Sequence, residues 1–282
     1  MRILKKILAF SLCGFALYQF CSHATDGFSI RKIQTNLETH SDWETPNGYF
    51  ALDQPFSYLG HGAQVYAFVS FDGKYVLKFY RHNRASHPFA FLAPLLPPPL
   101  KKRLLSTIEK RKNKRLKDFS SYLLAYHHLA KESGLLDLHL NPTEEQRKVK
   151  IYDKIGVEHI LDVSHMQYLL QKRAKPIYPL LEEWISQGEM EYAKDQLTKL
   201  VTLLRTRCQK GIFDKDPDLK TNFGFTDDGP IQFDIGRFKL DPTRTDPNIY
   251  RDDLIRITDR LCQWLEERAP ALAAHIEQEI AK

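Results

Sequence analysis

The stretch from Lys210 to Phe238, KGIFDKDPDLKTNFGFTDDGPIQFDIGRF, constrains this chain more than any other. A helical pattern stops at Gly211, and a loop carrying Asp214, Asp216 and Asp218 then runs to Asn222. Two short apolar runs follow, joined by the turn signal Asp227-Asp228-Gly229, and the segment closes on Asp234-Ile235-Gly236. Helix, acidic loop, hairpin and Asp-hydrophobe-Gly in that order make the layout of a metal site. Magnesium takes one or two carboxylates plus phosphate oxygens. Asp234 with Asn222 is therefore the candidate metal pair, and Asp216 the candidate group facing an attacking hydroxyl. The competing interpretation is an acidic surface loop followed by an ordinary hairpin, and the upstream chain has to decide between them.

Upstream, Phe56 to Tyr80 predicts three strands: an aromatic-rich strand, a turn at Gly60-His61-Gly62, a second strand, a hairpin at Asp72-Gly73, and a third strand with Lys78 in its middle. Gly60 and Gly62 would let backbone amides approach phosphates closely. Lys78, between apolar neighbours, needs an anionic partner. Each signal alone has a plain alternative, a tight turn or a solvent-facing lysine; their order relative to the acidic loop is what carries weight. Between them, Arg115 to Ser133 predicts a helix with Leu116, Phe119, Leu123, Tyr126 and Leu129 on one face. Strands are expected at Val149–Ile155 and His165–Leu170, a polar hinge at Gln171–Pro176, and helices at Ile177–Gln187 and Glu191–Lys210. The second of these carries Leu197, Leu200, Val201, Leu204 and Cys208 as its apolar stripe. A helix over Tyr250–Arg268 and a last one opened by Pro270 complete the chain.

Taken in this order, the motifs resemble those of the protein kinase-like superfamily. Asp214-Lys215-Asp216 stands where that family has H-R-D, Asn222 where it has the catalytic-loop Asn, Asp234-Ile235-Gly236 where it has D-F-G, and Lys78 where it has the strand lysine. The resemblance implies an α+β, two-lobe fold with an antiparallel-sheet N-lobe and an abbreviated helical C-lobe. Only 45 residues follow Arg237 and no A-P-E segment is present, which is closer to small-substrate or lipopolysaccharide-type kinases than to protein kinases. It also implies ATP and magnesium as cofactors, and in-line transfer of the γ-phosphoryl group to a hydroxyl acceptor. By the same resemblance Asp216 is the base with Asp218 as its rival, Asn222 and Asp234 hold the metal, Lys78 clamps the phosphates, and Gly60 and Gly62 cover them. Asp118 is the acid expected to pair with Lys78, with Glu109 as an alternative and Tyr122 at the usual position. The sequence departs from the family pattern in four ways: there is no third glycine, Asp214 replaces histidine, Lys215 replaces arginine, and one extra residue lies between Asp216 and Asn222. The alternative from another class is an exported, catalytically inactive kinase-like binding module.

Composition sets the remaining bounds. With 282 residues, 43% hydrophobic, the chain can bury one large core or two modest ones. The net charge of +6 comes without any nucleic-acid recognition motif, so nucleic acid is not an expected partner. The four cysteines show no zinc spacing. Residues 1–24 have the form of a secretory signal: basic Arg2, Lys5 and Lys6, the apolar run Ile7–Cys21, and Ser22-His23-Ala24 for cleavage. Export to the periplasm or medium is expected, the alternative being a membrane anchor. The expected divisions are a leader at 25–50, an N-lobe at 51–172 with an insertion at 85–117, and a C-lobe at 173–282. Within the insertion, apolar, proline-broken Phe89–Leu100 precedes nine Lys and Arg residues in Lys101–Lys117. It is either an apolar wedge with a basic flank that rests on an anionic membrane surface, or a packed insertion with a solvated basic helix.

Overall fold

The computed structural model describes residues 2–34, 39–46, 52–82 and 90–282. Residues 47–50 of the expected leader and the start of the insertion at 85–89 lie outside the described residues. The chain is α+β and forms two compact units. Unit 1 is Met1–Lys112 with His139–Leu169, and unit 2 is Asn113–Leu138 with Leu170–Lys282.

Unit 1 is built on strands β1 (Phe56–His61), β2 (Val65–Ser70), β3 (Tyr75–Tyr80), β5 (Lys148–Tyr152) and β6 (Glu158–Asp162). With β4 (Leu135–His139) and β7 (Tyr168–Lys172), along which the chain passes between units, they form one sheet in the order β4-β7-β3-β2-β1-β5-β6. β1 pairs antiparallel with β2 and parallel with β5. The β1–β2 register shifts by one residue between Tyr58 and Gly60, so Leu59 is the extra residue of a bulge just before the Gly60-His61-Gly62 turn. Alternation along β2 buries Tyr66, Phe68 and Ser70, as a period of two requires. The polar leader has a structural part in this unit: Phe28, Ile33 and Trp43 are buried. Phe28 sits edge-on to Tyr66 and Phe68, with ring centroids 5.2 and 5.4 Å apart. A few apolar residues scattered among polar ones give no periodic signal, which is why their packing is invisible in the sequence.

Helix α1 (Arg2–Ala24) opens this unit. Among the described residues no helix is long and apolar enough to cross a membrane. Helix α2 (Pro98–His128) begins inside the Pro97-Pro98-Pro99 run, because proline is tolerated in the first turn, where the missing N–H has no intrahelical partner.

In unit 2, the buried residues of α2 are Asp118, Phe119, Ser121, Tyr122 and Ala125, and Leu129 just after it is buried as well. Leu116, Leu123 and Tyr126 of the expected stripe are only half-buried. The face is rotated from the apolar stripe because a serine and an aspartate lie on its inner side. Helices α3 (Ala130–Ser133), α4 (Ile177–Gln187), α5 (Met190–Gln209), α6 (Pro247–Glu266) and α7 (Pro270–Ala281) make up the rest of the helical part. Leu181, Leu197, Leu200, Leu204, Phe223, Leu254, Leu261 and Leu272 belong to a single apolar core. Short strands β8 (Lys175–Pro176), β10 (Phe223–Thr226) and β11 (Gly229–Gln232) form one small sheet, and β9 (Ile212–Asp214) with β12 (Phe238–Leu240) another. The Asp227-Asp228 turn closes the β10–β11 hairpin, with Thr226 opposite Gly229. Gly224 has to be glycine: an added Cβ would collide with the Lys175 carbonyl of paired β8.

Candidate functional site

The acidic loop starts where α5 stops. Gly211 has φ +65°, the left-handed value that ends a helix, and its N–H donates to the Cys208 carbonyl at 2.7 Å. Ile212 to Asp214 then enter β9 opposite Phe238 to Leu240, which fixes Asp214 across from the residues that follow Asp234-Ile235-Gly236.

Three hydrogen bonds organise the loop around Asn222. Its side-chain amide donates to the Asp216 carbonyl at 2.6 Å. Its own carbonyl accepts the N–H of Phe233 at 2.9 Å and that of Asp234 at 3.4 Å. Asp216, Asn222 and Asp234 therefore belong to one hydrogen-bonded assembly. Asn222 is buried while the carboxylates of Asp216 and Asp234 are exposed. Asp234 Oδ1 accepts the Gly236 N–H at 3.2 Å, a turn that orients the carboxylate; among the described residues its Oδ2 has no protein partner. Asp216 Oδ2 lies 3.5 Å from Arg237 Nη1. Asp218, by contrast, turns back on its own loop: Oδ1 accepts the Lys220 N–H at 2.9 Å and its carbonyl accepts the Asn222 N–H at 2.9 Å.

Beneath this assembly lies a buried charge network absent from the sequence-based expectations. Asp214 Oδ1 accepts the Asp216 N–H at 2.9 Å, and its Oδ2 accepts from Gln232 Nε2. Gln232 Nε2 also reaches the Asp234 carbonyl at 3.4 Å, and Gln232 Oε1 accepts from Arg207 Nη1 at 2.7 Å. Arg207 Nη1 is itself 3.8 Å from Asp214 Oδ2. All three side chains are buried. Burial pushes the Asp214 carboxyl up from its ordinary range against the opposing pull of Arg207, and lowers Arg207 in turn. This network ties the backbone of Asp216 to that of Asp234. A second clamp comes from Ser121, whose hydroxyl donates to the Ile235 carbonyl at 2.5 Å and accepts the Phe238 N–H at 2.6 Å. A third runs through α6. Asp253 is buried and accepts from Arg244 Nη1 at 2.5 Å, and that guanidinium stacks 4.3 Å over the Phe213 ring. Asp253 thus supports the loop through Arg244.

Periodicity offered one clue to the network. Arg207 follows Leu200 and Leu204 at the spacing that keeps it on the apolar face of α5. Gln232 and Ser121 gave no such signal, since their partners are 18 and 114 residues away.

The remaining candidates fall in both units. Asp118 is buried on α2 in unit 2, one turn before Ser121, and Tyr122 is buried beside it, while Glu109 is exposed in unit 1. In unit 1, Lys78 is half-buried opposite Ala67 of β2. The Gly60-His61-Gly62 turn is held by its own protein. The Gly62 N–H donates to the Val65 carbonyl at 3.0 Å and the Gly62 carbonyl accepts from Arg81 Nη1 at 2.8 Å. Arg81 also donates its N–H to Gln64 at 2.8 Å and lies 4.5 Å over the Tyr66 ring. A Cβ at Gly62 would meet open space, and its φ is not in the left-handed range.

Among the described residues no group of three or more His, Cys, Asp or Glu is placed to hold a metal ion. Asn222 and Asp234 offer one amide oxygen and one carboxylate, hard oxygen donors of the kind and number that magnesium takes from a protein when phosphates and water complete its shell. Asn222 Oδ1 accepts the Thr221 hydroxyl at 3.0 Å, so its second lone pair and the Asp234 carboxylate are the donors that would fit that ion.

No protein-family model and no curated protein matches the chain. Among solved structures, one described as "Medium resolution structure of the bifunctional kinase-methyltransferase WbdD" aligns at 13% identity with a TM-score of 0.37. The match covers 77% of this chain and 43% of that one. The chain therefore spans less than half the length of that protein, and superposition at this level carries no argument about mechanism.

Proposed function

We propose that the chain is a kinase-like, ATP- and magnesium-dependent phosphotransferase that moves a γ-phosphoryl group to a hydroxyl acceptor. The observation that carries this is the Asn222 assembly. One buried amide holds the Asp216 carbonyl with its side chain and the Asp234 segment with its backbone, leaving two carboxylates exposed on a fixed frame. The motif order adds to it.

In the transfer, the acceptor hydroxyl oxygen forms a bond to the γ-phosphorus, the bond to the β–γ bridging oxygen breaks, and ADP leaves. Asp216 takes the hydroxyl proton on its carboxylate. Its backbone is fixed from both sides, by Asp214 through the N–H and by Asn222 through the carbonyl, so the base is held in place before substrate arrives. Arg237, beside Asp216, keeps positive charge where the hydroxyl is deprotonated. Asn222 and Asp234 would hold magnesium, which when bound supplies neutralisation of the phosphate charge. The motif order implies Lys78 as the phosphate clamp, Gly60 and Gly62 as the cover and Asp118 as the acid partner; of these, the Gly62 amide is already engaged by Val65. Asp218 is the weaker candidate for base because its carboxylate is engaged by its own turn.

One observation favours a second interpretation, a kinase-like module that binds without catalysing. The Gly62 amide is already used by Val65 and so does not serve a phosphate. Magnesium-dependent release of ADP from ATP, with water or added alcohols as acceptors, separates the two. Activity is expected in the wild type, with Asp216→Ala lowering it by about 10²- to 10⁴-fold and Asp218→Ala leaving it within a few-fold. Loss on Asp218→Ala with Asp216→Ala unaffected would reverse the two roles, and nucleotide binding without any turnover would leave the binding module.

A further inference from the structure

A segment of unit 1 has an unusual surface. Residues Ala90–Leu95 form a short 3-10 turn and lead into the first turns of α2. Within α2, Leu104 is buried and Thr107, Ile108 and Arg111 are half-buried, which at 100° per residue is one inward stripe. The remaining positions from Pro98 to Lys112 are exposed, and in the segment before them Leu92 and Leu96 are half-buried while Phe91 and Leu95 face out. Phe91 is 72% exposed, Leu95 80%, Leu100 51% and Leu105 45%. Interleaved with them, Lys101, Lys102, Arg103, Lys110 and Lys112 are exposed and, among the described residues, form no ion pair. Glu109 is the only acidic residue between positions 90 and 112.

Large apolar side chains and unpaired cations on one stretch satisfy two conditions at once. An ordinary solvated helix puts its charges out and its apolar residues in; here both point out, and exposed apolar clusters of this kind mark contact surfaces. A protein partner with an acidic face would explain the cations but not a Phe and a Leu on a turn broken by prolines. Nucleic acid would likewise engage the cations and leave the aliphatic side chains in water. A bilayer with acidic headgroups suits both, since apolar side chains enter the headgroup–acyl boundary while the cations sit at the phosphate level.

We infer that Phe91–Lys112 is a docking surface for an anionic lipid bilayer, with Phe91, Leu95, Leu100 and Leu105 inserting and Lys101, Lys102 and Arg103 holding the headgroups. The inference stands on this surface alone, whatever the acidic loop does.

Cosedimentation of the full chain with phosphatidylcholine vesicles, with and without about one third phosphatidylglycerol, tests it. Binding is expected to rise with acidic lipid and to fall with salt. The triple variant Lys101→Gln/Lys102→Gln/Arg103→Gln should lose roughly a hundredfold of the acidic-lipid-dependent partitioning. Phe91→Ser/Leu95→Ser should weaken it severalfold at unchanged charge. All of these side chains are exposed, so an unchanged melting temperature serves as the control for folding. Equal binding to both vesicle types, or acidic-lipid binding that both variants retain, would overturn the inference and put any membrane contact elsewhere, as on apolar α1. Binding to a single-stranded oligonucleotide without binding to acidic vesicles would assign the cations to nucleic acid and overturn it as well.

Discussion

The acidic loop of unit 2 and the glycine turn of unit 1 are both irregular segments next to strands, yet they are held in opposite ways. In the acidic loop, buried side chains fix the backbone from beneath and leave carboxylates exposed: Arg207, Gln232 and Asp214 form one network, and Ser121 adds another clamp. In the glycine turn the backbone groups are consumed by the turn itself and by Arg81. Where side chains support the backbone from below, the functional atoms remain available to a ligand. Where backbone groups satisfy one another, little remains to bind with. The first loop has the form of a preorganised site, the second that of a well-closed hairpin.

The contrast can be broken hardest at Arg207. Arg207→Met leaves the buried Asp214 carboxylate without its counter-ion, which should cost about 3–5 kcal/mol. That corresponds to a fall of roughly 10 °C or more in the melting temperature, read by calorimetry or circular dichroism. The buried Asp214 carboxyl, already raised by desolvation, should then take up its proton more readily still. An unchanged melting temperature would mean that the network does not hold the loop.

A smaller effect sharpens the comparison at the glycines. Gly211→Ala forces alanine into a left-handed conformation and should cost about 1–2 kcal/mol, a few degrees of melting temperature. Gly62→Ala meets open space at an ordinary φ and should change stability by less than about 0.5 kcal/mol. If Gly62→Ala melts normally but weakens nucleotide binding, a ligand and not the fold is what asks for glycine there. If it destabilises as much as Gly211→Ala, the turn is under a constraint that its geometry does not display.

Local chemistry was legible in the sequence, and long-range support was not. The helix stop at Gly211, the two-residue turn at Asp227-Asp228 and the succession Asp216, Asn222, Asp234 each follow from neighbours a few residues apart. Propensity and turn chemistry act over that range. The Gln232–Asp214 and Ser121–Ile235 contacts join positions far apart in the chain, and nothing in the residue types announces them. The inner face of α2 was misplaced for a related reason. Ser121 looks like a solvent-facing residue until its partners Ile235 and Phe238 are supplied from elsewhere, and the apolar stripe then points the wrong way by a fraction of a turn. The buried Phe28, Ile33 and Trp43 of the leader were hidden by their polar surroundings.

Whether the Asn222 assembly is a magnesium–nucleotide site is decided by thermal unfolding with ATP, in the presence and absence of magnesium. At about a hundred times its dissociation constant, Mg-ATP should stabilise the wild type by roughly 2.7 kcal/mol. This is a rise of roughly 5–10 °C for a chain of this size. Asp234→Ala should remove the magnesium-dependent part of the rise, and Lys78→Ala should reduce it with or without metal. Asp216→Ala should leave it nearly intact, because a base facing the acceptor contributes little to holding the nucleotide. No rise in the wild type with any nucleotide and magnesium, or a rise that Asp234→Ala leaves whole, would contradict the assignment.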